Sequence, residues 1–298
     1  MICFCLCRRP RSYFHNQSVD MNDVLIFLTI LAQLSLGVYS WLIKTVPTNL
    51  STQLLARMSI FTALAGAMAT ATGQTIIPSL EHLLTLGPLN VLHVAASYYA
   101  YSLLPTTVSI PLFYVYPFLN VYLASALLNN SINLWTLPFL LLSFIGVIVI
   151  VFQDGALSFS APGIIAIFIA ALTESLIYIT FKSRYSKNNY DGLFHLYAGG
   201  LIAILLARAT NIIEPFDFNP ATWQSLGFFI TFVGFVAFAI LTYCIPLMTS
   251  ELYASLAFFG VLSGYIFGHI GSENIPTIKT VIGSALIVAG ATAVRYLS

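Results

Sequence analysis

The sequence predicts an all-α integral membrane protein, with ten transmembrane helices arranged as two inverted five-helix repeats. Three observations predict it. Of the 298 residues 59% are apolar and only 7% charged, against about 25% charged in a soluble domain. Apolar windows long enough to cross a bilayer recur along the chain with short breaks between them. The halves also resemble each other. A slide of 138 residues sets Lys44 on Lys182, Leu55 on Leu193 and Arg57 on His195, and one of 141 sets Pro105 on Pro246 and Ser109 on Ser250. Five helices per half is an odd number, so the second half must lie inverted in the membrane. Inverted repeats are a mark of secondary transporters, whose sites lie between the repeats.

Residues 1–22 form a cytoplasmic leader, 23–152 the first repeat and 161–296 the second. In the leader, "MICFCLCRRPR" sets Cys3, Cys5 and Cys7 beside three arginines. S-acylation on an anionic leaflet would use this pattern. Alternatively translation starts at Met21 and the leader is dispensable. A CxCxC run lacks the second ligand pair of a metal site. No disulfide framework can be read from four cysteines of which three crowd the first seven residues.

The ten windows are 23–43, 52–73, 84–104, 106–128, 135–152, 161–182, 191–209, 223–244, 248–270 and 276–296. Breaks such as "KTVPTN", "LPTT", "NNSIN" and "EPFDFNP" carry turn chemistry. If the boundary at Pro105 fails, the count drops to nine. Gln33, Gly37 and Ser40 share a face of the first helix. Arg57 stands alone in the apolar second. On the third, Asn90, His93, Ser97 and Tyr101 are spaced three, four and four, one continuous face, which Tyr98 extends. Four polar residues in register exceed what helix–helix bonding needs, so they read as a cavity wall. The fourth helix places Ser109, Tyr116 and Asn120 on one face, with Pro117 able to bare a carbonyl. The fifth is apolar. The sixth offers Glu174 and Tyr178, the seventh His195, and the eighth little beyond Thr231 and Thr242. The ninth has Glu251 and Ser255. Its Gly260, Gly264 and Gly268 permit close approach, within the bundle or across a homodimer seam.

Lys/Arg bias sets orientation. With both termini cytoplasmic, the inside carries Arg8, Arg9, Arg11, Lys182, Arg184, Lys187 and Arg295, the outside Lys44, Arg208 and Lys279. Trp41, Trp135 and Trp223 fall near helix ends, where indoles prefer to sit. The 11 basic and 10 acidic residues nearly cancel, which leaves no basic surface for nucleic acid. No HExxH, phosphate loop or GxSxG appears. The histidines show no ligand spacing, so neither a metal nor another cofactor is expected.

The chain carries a family resemblance over nearly its whole length, in helix order. "PLMTSELYASLAFFGVLSGYIFGHIGSENIPTIKTVIGSALIVAGATAV" resembles the C-terminal helix pair of the drug/metabolite transporter superfamily, EamA type, through Glu273, Gly283 and Gly290. "LSLGVYSWLIK" resembles that family's first helix and "LLARMSIFTAL" its second, which often carries an arginine where Arg57 stands. The chain departs from the pattern at Asn129 and Asn130, where a glutamate is usual. It also lacks the common Glu-Pro of the fourth and ninth helices, and the Asn-Lys of sugar-phosphate relatives.

The resemblance implies a ten-helix transporter working by alternating access, with its cavity lined by helices one, three, four, six, eight and nine. The expected solute is a small polar organic metabolite. Its expected contacts are Arg57, Asn90, His93, Ser97, Tyr101, Tyr116, Asn120 and Tyr178. Arg57 is expected to hold a carboxylate or phosphate, or to pair with Glu174 or Glu251 when the cavity is empty; its alternative is an ion pair locking two helices. Glu174 or Glu251 is expected to couple transport to protons, since a neutral carboxyl is cheap to carry through an occluded state and a charged one is not. Facilitated exchange is the other mode. Two further classes stay open: a membrane-embedded enzyme, and a non-transporting scaffold or receptor.

Overall fold

The computed structural model describes residues 18–76, 79–104, 109, 112–151, 160–184, 190–270 and 277–297. Cys3, Cys5, Cys7, Pro105 and Glu273 lie outside the described residues, as do the side chains of Ser40, Lys44, Gly268 and His269. The described residues form an all-α fold.

Helix α1 is Ser18–Thr45 and α2 Leu50–Ala71. Asn49 caps α2, its side chain accepting from the Thr52 N–H at 2.9 Å. Helix α3, Leu80–Leu103, is capped the same way by Ser79. Helix α4 is Tyr116–Leu128, α5 Leu137–Val151, α6 Ala161–Arg184 and α7 Tyr190–Ala209. Helix α8 is continuous in three pieces: Pro220–Phe228, a π-helical Phe229–Phe235, and Val236–Cys244. Helix α9 is Ser250–Ala257 and, past Phe258, Phe259–Ile270; α10 is Ile278–Leu297.

Pro117, read in the sequence as lying within a helix over 106–128, stands in the first turn of α4, which begins at Tyr116; Ser109, Leu112 and Phe113 before it are also helical, and much of 105–111 lies outside the described residues. The nearby Tyr116 carbonyl is taken by the Ser175 hydroxyl at 3.1 Å.

Among the described residues five helices are long and apolar enough to cross a membrane: Asn22–Tyr39 within α1, Leu50–Ala71, Ala161–Ser183, Tyr190–Ala209 and Pro220–Leu247. Helices α4, α5 and α10 carry shorter apolar stretches. Helix α3 is long enough, but its polar face lowers its hydropathy.

Helix α2 packs on α7, α3 on both α6 and α7, α4 on α6, α1 on α8 and α9, and α5 on α10. Two crossings depend on paired glycines. A Cβ on Gly199 would meet the Cα of Gly87 at 2.9 Å, and one on Gly283 would meet the backbone of Gly146 at 2.5 Å. Any side chain there would force the helices apart. Gly260 faces α1 at Gln33 and Gly37, inside the bundle.

Candidate functional site

The polar faces of α1, α3 and α6 converge with Arg57 of α2 on a cavity of about 70 Å³. Arg57, His93, Ser97, Tyr101, Tyr116 and Glu174 all line it, together with Gln33 and Gly37 of the α1 face. Six of the ten residues singled out in the sequence therefore meet in one place.

Arg57 is buried and held by aromatic groups. Its Cζ lies 5.2 Å from the Phe61 ring centre, 5.4 Å from Tyr39 and 5.9 Å from Tyr98, within cation–π range. Nη1 donates to the Tyr98 hydroxyl at 3.3 Å and Nη2 to that of Tyr197 at 3.4 Å. Nε is buried without a partner. Neither Glu174 nor Glu251 stands within ion-pairing distance, so the expected Arg57–glutamate pair does not form in this structure. Aromatic faces and hydroxyls supply the attraction instead.

Glu174 pairs with α3: its Oε2 lies 3.3 Å from His93 Nε2. The other ring nitrogen, Nδ1, sits 3.1 Å from the Ala170 carbonyl oxygen. Ser97 turns its hydroxyl back to the His93 carbonyl at 2.7 Å. Gln33 lines the cavity with both amide atoms unpartnered.

Four expected site residues lie elsewhere. Asn90 is fully buried between α2 and α7, donating to the Leu196 carbonyl at 3.4 Å. It stands three residues before His93, roughly 4.5 Å down the helix axis, enough to move it from the cavity to the α7 contact. Asn120 is buried with both amide atoms unpartnered and does not reach the cavity. Tyr178 donates to the Ser250 hydroxyl at 3.0 Å and stacks on Tyr253, centroids 5.0 Å apart. Glu251 accepts from the Asn133 N–H at 3.1 Å, at the start of α9.

Glu251 and Lys182 line a second cavity of about 410 Å³. A third, of about 470 Å³, lies among Val46, Thr48, Gln53 and Ser102. The two relate differently to the central cavity. The third shares Tyr98 and Tyr101 with it as a common wall, and the second shares no lining residue. The Tyr98 hydroxyl is 2.6 Å from that of Tyr39, which latches the common wall to α1. At the second cavity Lys182 donates to the carbonyls of Ile245 and Met248, capping the end of α8.

Polar periodicity missed the aromatic part of the site: Tyr39, Phe61, Phe113, Tyr114, Tyr197 and Phe238. Tyr39 lies two residues past Gly37 and out of register with the α1 polar face. Helix α8 contributes through Phe235, 5.1 Å edge-on to Phe61, and Phe238, 6.0 Å from Tyr197. His195, aligned with Arg57 in the sequence, bonds the Asp191 carbonyl through Nδ1 at 2.8 Å and accepts from the Ser79 N–H. Both its nitrogens are thereby satisfied. Among the described residues no three of His, Cys, Asp and Glu gather as a metal site would need.

No family model matches the chain, and no curated protein does. A solved crystal structure of a protein shares the fold at a TM-score of 0.72, with 19% identity over 92% of this chain and 96% of that one. At that identity the likeness concerns the fold alone.

Proposed function

We propose that this chain is a ten-span membrane transporter of the drug/metabolite transporter type, moving a small polar organic solute by alternating access. The observation that carries the reading is the central cavity, buried among several helices and flanked by a larger cavity towards either end of the bundle. A cation, a histidine–carboxyl pair and tyrosine walls give it charge, donors and apolar surface, the features of an organic-solute site. Its volume is well below the roughly 300 Å³ of a ligand-bound pocket. Solute therefore enters by moving Tyr98 and Tyr101, the wall that this cavity shares with the third.

Helix pairing supports the inverted repeat. Exchanging each helix for its counterpart five places on turns α3·α6 into α8·α1 and α4·α6 into α9·α1. It leaves α2·α7, α5·α10 and α4·α9 unchanged, and all of these pairs are in contact. By the Lys/Arg count the Tyr98–Tyr101 wall faces outside and the Lys182–Glu251 cavity faces the cytoplasm. The thin side is thus the outer one.

The test is uptake. Purified protein in liposomes is offered a deproteinised metabolite extract, and retained compounds are read by mass spectrometry. The reading requires one or more compounds enriched over empty liposomes and lost with Arg57→Ala. No enrichment, with correctly inserted protein, would sink it.

A further inference from the structure

His93 and Glu174 face each other in a way that fixes how many protons they share. A carbonyl oxygen only accepts, so the contact from His93 Nδ1 to the Ala170 oxygen places a hydrogen on Nδ1. The neighbouring Thr173 hydroxyl directs its own hydrogen to the Ile169 or Ala170 carbonyl, at 2.7 and 3.0 Å. A neutral His93 thus turns the lone pair of Nε2 towards Glu174 Oε2, 3.3 Å away. A carboxylate oxygen facing a lone pair at that distance, in a buried site, is repulsive. One proton between the two atoms removes the repulsion, whether it rides on Oε2 or on Nε2.

We propose that His93 and Glu174 together form the proton site of the transport cycle, holding one exchangeable proton that competes with solute for Glu174. This rests on the transporter reading above. When the proton leaves, the Oε2–H or Nε2–H bond breaks to vestibule water and the pair keeps the electrons. Glu174 is left as a carboxylate facing a lone pair, and it turns towards donors in the cavity. A solute ammonium or hydroxyl supplies them. On the return, a proton from water re-forms the bond and the donor is released. The charged and titratable groups facing Glu174 are Arg57 from α2, Tyr114 and Tyr116 beside it, Tyr197 from α7 and Tyr253 from α9. Arg57 alone among them is a permanent cation.

Two measurements test this. In lipid nanodiscs, ¹⁵N-histidine spectra identify His93 by the signal lost in His93→Gln. That signal is expected to titrate together with a carboxylic infrared band that disappears in Glu174→Gln, and to shift in Glu174→Gln itself. A His93 signal indifferent to Glu174→Gln overturns the shared proton. In liposomes carrying a trapped pH dye, the metabolite extract should drive proton movement through wild type. Glu174→Gln should lower the number of protons moved per solute exchanged at least tenfold. Solute exchange by wild type without proton movement overturns the coupling alone. No exchange of any extract compound overturns the transporter reading and the coupling with it, while the spectra still judge the pair.

Discussion

Arg57 stacks on three rings and donates to two tyrosine hydroxyls, a geometry that a lysine ammonium has no planar fork to reproduce. Arg57→Lys keeps the charge and loses that fit, about 1.5 kcal/mol or more on hydrogen bonds to a charged group. Apparent solute affinity should fall roughly tenfold with protein abundance retained in the membrane fraction. Collapse of abundance would make the residue a structural lock. Asn90 should behave in the opposite way. It ties α3 to α7, and such bonds in membranes average about 0.6 kcal/mol. Asn90→Ala should lower the melting temperature slightly and leave affinity within twofold; a large affinity loss would return it to the cavity. At this scale the sequence marked the polar part of the site well, because a lone cation and a spaced polar face stand out in apolar helices. Tyrosines and phenylalanines did not stand out, since they are equally at home in core and lipid. Asn90 and His93 share a helical face, and only their heights against α7 separate glue from cavity.

Helices meet here through backbones as much as side chains. Gly87 and Gly199 let α3 and α7 touch, which brings Tyr197 of α7 to Arg57. Gly199→Leu should therefore destabilise by about 1–3 kcal/mol as an overpacked contact, read as a lower melting temperature in detergent, and should weaken the Arg57 cage with it. An unchanged melting temperature would mean that the crossing is looser than the glycines imply. Helix existence was legible from apolar windows, and each window falls on a helix. Two details were not. That Pro117 stands in the first turn of α4 is one, because first-turn and mid-helix prolines look alike without the boundary. The π-helical Phe229–Phe235 in α8 has no composition of its own. Its extra residue advances the helix face by about 100°, and just beyond it Phe238 lines the cavity. That is why the eighth helix looked poor in polar residues and still contributes.

The whole molecule places a buried polar cavity behind a thin tyrosine wall on one side and the tied ends of α6, α8 and α9 on the other. On that second side Lys182 donates to a carbonyl past the end of α8 and Glu251 accepts from the Asn133 N–H. The half-to-half alignment sets Arg57 on His195. It did not anticipate different chemistry at equivalent points: Arg57 sits in an aromatic cage, while His195 is consumed by Ser79 and Asp191. The Lys/Arg count puts both termini in the cytoplasm as a prediction: tags at the two ends should be shielded from impermeant reagents in intact cells. Opposite accessibility of the tags would require an odd number of spans and would break the repeat.

In the proposed transport cycle one cavity is reached in turn from two sides. Ser97 lines it and its hydroxyl only bonds its own helix, so a thiol there should be tolerated. With the four native cysteines replaced by serine, Ser97→Cys should react with an impermeant maleimide from either face of sealed, uniformly oriented vesicles, and extract solutes should slow both reactions. Reaction from one face only, whatever solute is present, would contradict alternating access.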